Sequence, residues 1–355
     1  MNRLLRVVLG LLTMGLILAA TAFAFQTHGR AQPSIIPGYT TMTIAVAHRD
    51  RPVMLHIWYP TNSDIPPELI GQNALFYGEW VRRDAPPVPG PAPVVLISHG
   101  SGGNAVQLGW LATALARAGM IVVAPNHPGT TSRDSDPFQT VQIWQRPLDL
   151  TAALDALAKS PPDGLVPDLS RVAVLGFSLG GHSALSLSGV QVIKAGFITY
   201  CTKSPDQPDC SWMSKAGVNF AQIDQTRYEA SYRDPRITAT VAVDPALDAA
   251  MSAESLGKID HPVLILNLGL PETIPIGVRA DGIAAQIKDA KYHAIDGAHH
   301  FSFIAECSGL GWAIIGMAGE ENICSDTGFR DRATVHAEAL AQILPFLTQQ
   351  LGLGE

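Results

Sequence analysis

Gly176-Phe177-Ser178-Leu179-Gly180-Gly181 follows directly on the apolar run Val172–Leu175 and precedes a helical pattern. A serine flanked by glycines at a strand-to-helix turn is the arrangement that exposes a nucleophilic hydroxyl. Ser178 has to adopt a strained backbone so that its Oγ projects past the strand end. Gly176 and Gly180 let strand and helix approach without a Cβ clash. The helix N-terminus beneath the serine favours the negative charge that develops in acyl transfer. The bland alternative is an ordinary serine in a Gly-rich turn. It explains the glycines but not the strand and helix on either side.

Acyl transfer needs backbone N–H donors aimed at the developing oxyanion. Leu179, the residue after the serine, supplies one by position. The loop Ser98-His99-Gly100-Ser101-Gly102-Gly103 follows the run Val94–Ile97 and is the source of a second, with Ser101 ahead of Gly102. The place of His99 in the chain fits loop structure better than catalysis.

A general base and an acid should follow the serine in the order Ser, acid, His. Of His261, His293, His299, His300 and His336, only the doublet in Asp296-Gly297-Ala298-His299-His300-Phe301 follows the last apolar run as a small-residue loop. His300 is preferred and His299 is the alternative; His336 lies on the terminal helical pattern and reads as structural. For the acid, Thr240-Val241-Ala242-Val243-Asp244-Pro245 puts Asp244 at a strand's C-terminal end, although Asp-Pro also favours a plain turn. One strand later, Asn267-Leu268-Gly269-Leu270-Pro271-Glu272 offers Glu272 as the alternative. The acid would hold the imidazole tautomer and stabilise the imidazolium. His127, Arg146, Asp149 and His182 read as structural, and Arg82-Arg83-Asp84 as a solvated loop.

The elements that must position these residues are short apolar runs separated by helical segments. Thr40–Ala47 and Val53–Tyr59 read as strands. So do Val94–Ser98, Met120–Ala124, Val172–Phe177, Ile237–Val243, Val263–Leu268 and Tyr292–Ile295. Helices are expected at Ala105–Ala118, Pro147–Lys159, His182–Ser188, Gly282–Lys288 and about Arg332–Leu351, with the Pro-rich 84–93 a loop. Continuous apolar strands alternating with helices imply a mostly parallel sheet covered on both faces, an α/β class. Two stretches break the alternation as inserts: 197–236, with a polar helical stretch near Phe220–Ser231, and 303–331, with the apolar piece Trp312–Ile315. Either serves as a lid or as a stapled surface loop.

The chain of 355 residues is 47% hydrophobic, which excludes disorder, and only 15% charged against about 25% in an ordinary domain. A net charge of −7 offers no basic field for nucleic acid. Arg3 and Arg6, an apolar run from Val7 and Ala22-Phe23-Ala24 compose an export leader over 1–24, followed by a linker over 25–39 and one domain over 40–351. Cleavage removes two arginines and no acid, taking the charge from −7 to −9 over 331 residues and leaving no membrane span. An uncleaved anchor is the alternative, since Val7–Phe25 could just cross a bilayer. An even cysteine count in an exported chain favours disulfides, and neighbour pairing gives Cys201 with Cys210 and Cys307 with Cys324. Neither spacing suits zinc, so no metal is expected, and acyl transfer needs no cofactor.

Taken together, the His99-Gly100 loop, the Gly176–Gly181 turn, Asp244 and Gly297–Phe301 resemble α/β-hydrolases of the platelet-activating-factor acetylhydrolase and dienelactone-hydrolase-like type. Weaker matches are Asn126-His127-Pro128-Gly129 and Trp144–Asp149. The resemblance spans about residues 40–350. It implies an α/β-hydrolase fold, an acid after the sixth strand, and a small or lipid-like carboxylic ester as substrate, with a short acyl chain. The inserts look like those of exported bacterial members. True dienelactone hydrolases carry a Cys nucleophile where this chain has Ser178, which argues against that activity. An amidase or peptidase on the same residues, or a silent binding protein on the same fold, are the rival expectations.

Overall fold

The computed structural model describes residues 3–27, 31–318 and 323–354. Met1 and Asn2 of the expected leader, 28–30 of the expected linker and 319–322 of the second insert lie outside the described residues. Twelve strands are described: β1 (Gly38–Ile44), β2 (Val53–Tyr59), β3 (Glu68–Ile70), β4 (Glu79–Arg83), β5 (Pro91–Ser98), β6 (Ile121–Asn126), β7 (Thr130–Thr131), β8 (Asp134–Ser135), β9 (Val166–Phe177), β10 (Ile237–Val243), β11 (Val263–Leu268) and β12 (Ala290–Ile295). Ten of them form one sheet in the order β12-β11-β10-β9-β5-β6-β2-β1-β4-β3, while β7 and β8 make a separate ribbon. From β6 through β5 and β9 to β12 every pairing is parallel, and β2 joins β6 antiparallel.

The helices follow as α1 (Arg3–Thr27), α2 (Gly109–Arg117), α3 (Pro137–Thr140), α4 (Gln145–Lys159), α5 (Leu179–Leu187), α6 (Lys194–Lys203), α7 (Pro208–Lys215), α8 (Gln225–Tyr228), α9 (Ala253–Leu256), α10 (Asp281–Ala284), α11 (Gly311–Ala318) and α12 (Arg332–Gln350). Neighbouring residues of a strand point to opposite faces, so a strand buried on both faces must be apolar throughout. In β5, Val95 and Ile97 enter a core layer with Leu111 and Leu115 of α2 and Ile343 and Leu347 of α12. Val94 and Leu96 enter the opposite layer with Leu150, Leu154 and Leu157 of α4 and Leu187 of α5. This two-sided burial is why the central strands read as unbroken apolar runs.

Several local expectations are corrected. Pro91 to Pro93 belong to β5, where they pair only with Val166–Asp168 of β9; β6 begins opposite Val94, so no donor is missed on that side. Arg82 and Arg83 lie in β4 and not in a loop, with Arg82 and Arg83 in register beside Gly38 and Tyr39 of β1. The stretch near Phe220–Ser231 holds only a short turn of 3₁₀-helix and the four-residue α8; the first insert is carried instead by α6 and α7. Helix α1 runs to Thr27 and β1 starts at Gly38. The described side chains along α1, from Leu5 to Ala20, are exposed.

The chain passes from β5 through α2 to β6 on one side, then back through α4 to β9 on the other. Such a reversal opens a crevice beyond the strands' carboxyl ends, where α/β sheets place their sites.

Candidate active site

Ser178 sits between β9 and α5 at φ 58°, ψ −122°, a region a side-chain-bearing residue rarely adopts. The strained turn is held from two sides. The Ser178 N–H donates to the Val243 carbonyl at 2.9 Å, and its carbonyl accepts from the N–H groups of His182 and Ala246. The glycines around it are sterically required. A Cβ on Gly176 would stand 1.9 Å from the Gly180 carbonyl oxygen, and one on Gly180 would stand 1.9 Å from that of Ser98. On Gly181 it would approach Pro245 Cα to 2.9 Å. Helix α5 is thereby pressed against the ends of β5 and β10.

The His300 Nε2 lies 3.1 Å from Ser178 Oγ, and its Nδ1 lies 2.8 Å from Asp244 Oδ2. With Nδ1–H donating to the carboxylate, Nε2 keeps the lone pair that a serine hydroxyl proton requires. Phe177 packs against the imidazole at 4.7 Å between ring centres, limiting its rotation. Asp244 is fully buried, at φ 42°, just past the end of β10. Its second oxygen accepts from the Leu268 N–H and from Asn267 Nδ2, both at 2.8 Å. Asn267 is itself buried and fully engaged. It donates also to the Val278 carbonyl, and its Oδ1 accepts from the Ala280 N–H and the Tyr292 hydroxyl.

A cleft enclosing about 490 Å³, counting its open mouth, lies over Ser178 and His300. Residues 99–104 and Gln107 form its polar wall; Phe177, Phe301, Ile304 and Ile323 form its apolar wall. Leu179 opens α5, and the first N–H groups of a helix have no acceptor within it. Ser101 lines the same cleft. The Gly102 N–H, the second choice from the sequence, donates to the Thr130 carbonyl at 2.9 Å and is therefore spent.

The alternatives lie elsewhere. His299 Nε2 meets Asp326 at 2.9 Å and its ring stacks toward Phe329, so the doublet divides its two imidazoles between separate partners. Glu272 is exposed in the loop after β11. His336 lies flat on Trp110 at 3.8 Å and reaches the Ile304 carbonyl. Disulfides join Cys201 to Cys210 and Cys307 to Cys324. The second staples the segment that bears Ile304 and Ile323.

Asn267 and Arg332 shape this site with little signal in the sequence. The one signal at Asn267 is a polar residue next to last in the apolar strand Val263–Leu268. Arg332, buried at the start of α12, donates to the carbonyls of Ala305 and Ile323 and to Asp326, clamping the apolar wall from behind. Nothing in its sequence context marks it.

No protein-family model and no curated protein matches the chain. Among solved structures, a ferulic acid esterase from Streptomyces cinnamoneus superposes with a TM-score of 0.61 at 19% identity, covering 91% of this chain and 92% of that one. The fold is the α/β-hydrolase fold. A dienelactone hydrolase-like promiscuous phosphotriesterase from metagenomic libraries shares it with a TM-score of 0.50 at 16% identity, over 88% of this chain and 98% of that one. In the α/β-hydrolase fold seen here, Ser178, Asp244 and His300 stand past the ends of β9, β10 and β12, three strands on one side of the β5 reversal.

Proposed function

We propose that the protein is a serine hydrolase that cleaves a small carboxylic ester through an acyl-enzyme intermediate. The observation that carries the reading is the position of His300, within hydrogen-bond reach of both Ser178 Oγ and the buried Asp244. His300 takes the hydroxyl proton as Oγ attacks the ester carbonyl, and Asp244 holds the imidazole in the tautomer that accepts it. The Leu179 and Ser101 N–H groups stabilise the oxyanion. His300 then returns the proton to the leaving alcohol, and the reverse sequence with water releases the acid.

An ester is favoured over an amide by the likeness to a ferulic acid esterase. The apolar wall of Phe301, Ile304 and Ile323 suits an acyl group, and a short one follows from the resemblance to acetylhydrolases. The two disulfides support export, with residues 1–24 as the leader. The relation to acetylhydrolases rests on the sequence pattern around Ser178, Asp244 and His300.

The test is labelling with a fluorophosphonate, followed by turnover of a matched panel of p-nitrophenyl esters and p-nitroanilides. Labelling that disappears in Ser178→Ala, with ester turnover exceeding amide turnover, is expected. Labelling that survives the substitution would overturn the reading at this site, and turnover of anilides alone would move it to an amidase.

A further inference from the structure

The sequence leaves His99 as a loop residue with no chemical task, yet its surroundings are unlike those of loop filler. The ring is buried, and each nitrogen has one partner of a fixed kind. Nε2 lies 3.2 Å from the backbone nitrogen of His127, which can only donate. Nε2 must therefore hold a lone pair, and the proton sits on Nδ1. That N–H donates to the Gly100 carbonyl at 2.7 Å, and the Gly103 N–H converges on the same oxygen at 3.2 Å.

The Gly100 carbonyl and the Ser101 N–H belong to one peptide unit. No cis bond is present among the described residues, and in a trans peptide the N–H points opposite to the C=O. Pinning the carbonyl inward on His99 thus turns the Ser101 N–H outward, and that group finds no acceptor among the described residues. The unit also lies beside the nucleophile: a Cβ on Gly100 would stand 3.2 Å from Ser178 Cβ. We infer that His99 is a positioning residue of the oxyanion hole, its Nδ1–H holding the Gly100–Ser101 peptide so that the Ser101 N–H faces the substrate carbonyl over Ser178.

A buried polar chain fixes His99 in turn. Arg146 donates to the His99 carbonyl, to Thr130 Oγ1 at 2.7 Å and toward Ser98 Oγ. His127 Nδ1 donates to Asp149 at 2.8 Å, leaving its Nε2 to accept from the Ser98 hydroxyl at 2.9 Å. Arg49 closes on both oxygens of Asp149 at 2.7 Å. Burial would raise the Asp149 carboxyl, but the hydrogen bonds from His127, His48 and Arg49 outweigh it and hold the group below the usual carboxylate range. Burial, then the nearby Arg146 and His127, holds His99 well below its ordinary value, so the ring stays neutral and keeps one proton. A charged ring would place a second N–H against the His127 N–H and break the arrangement.

The inference rests on the serine-hydrolase reading and deepens it. Its test uses the full chain with both disulfides formed, p-nitrophenyl acetate as substrate and a methyl trifluoromethyl ketone as the tetrahedral mimic. In His99→Leu the donor is lost; in His99→Asn an amide nitrogen stands near the place of Nδ1. Loss of one oxyanion donor lowers kcat by about 10²-fold. His99→Leu should show that fall with KM within about twofold, and should weaken the ketone by a similar factor. His99→Asn should recover most of both. Unchanged kcat and ketone affinity in folded His99→Leu would overturn the inference, as would a loss confined to KM. Should that variant not fold, ¹⁵N shifts of the wild-type imidazole decide: the Nδ1–H neutral tautomer is expected, and Nε2–H or a charged ring at pH 7 overturns it. Failure of the wild type to react with fluorophosphonate would fault the hydrolase reading instead.

Discussion

Asn267 Nδ2 donates to Asp244 Oδ1 across 2.8 Å, from the strand next to the one that Asp244 ends. The contact sets the carboxylate that faces His300, and Asn267 is held by three further bonds to Val278, Ala280 and Tyr292. Replacing it with Leu would keep the size but strand the Ala280 N–H and leave Asp244 one donor short. Each buried polar group left unpaired costs about 1–3 kcal/mol. Asn267→Leu should therefore lower thermal stability and reduce kcat by about tenfold or more, read from a melting curve and from ester turnover on the same preparation.

Asp244→Asn and Glu272→Gln discriminate between the two candidate acids. An amide at 244 cannot accept the His300 Nδ1–H in the same way, and the wrong imidazole tautomer follows; in a related geometry that costs about 10⁴ in kcat. Glu272 is exposed and should change kcat by less than about twofold. A greater loss in the Glu272 variant would reassign the acid.

Gly180→Ala should not be tolerated. The new methyl would lie 1.9 Å from the Ser98 carbonyl oxygen, and both partners are backbone. Overpacking of this kind costs about 3 kcal/mol or more. Low soluble yield or a large drop in melting temperature is the expected outcome, whereas a change at Gly282, which meets nothing within 4 Å, should be mild.

Reduction should act on the two inserts. The disulfides close loops with separations of 9 and 17 residues, for which the chain-entropy picture gives about 3 kcal/mol each. Cys307→Ser with Cys324→Ser should shift the KM for acyl chains more than Cys201→Ser with Cys210→Ser does, because only the former pair anchors the wall carrying Ile304 and Ile323. Kinetics across an acyl-chain series measures the difference.

Acid should destabilise the fold below about pH 6.5. Burial lowers His56 to about 4 and His182 to about 3, and lowers His127 to about 3 with Arg146 adding to the effect. The unfolded chain binds these protons near 6.5 and the folded one does not, so stability rises with pH from the folded values to 6.5 and is fully present above it. At 1.36 kcal/mol per pH unit, each such histidine removes at most about 2 kcal/mol between pH 6.5 and 5. Denaturant midpoints measured at pH 7.5 and 5 should fall accordingly; equal midpoints would refute the buried neutral assignments.

The alternation of apolar runs with helical segments is enough to read the α/β class, because strands buried on both faces must be apolar at every position. The glycines at 176, 180 and 181 mark the strand-to-helix turn at Ser178 in the sequence, because each meets backbone or Pro245 where a Cβ would go. That Asp244 and His300, and not Glu272 or His299, come within reach of Ser178 depends on the assembled sheet, as do the contacts of Asn267, His99, Arg146 and Arg332. Asp244, Asn267 and His300 are separated by 23 and 33 residues in the chain, yet they lie near or beyond the carboxyl ends of adjacent parallel strands. Local pattern records what a segment buries. Which side chains face one another across strand ends is a matter of register and topology, and only the assembled sheet decides it.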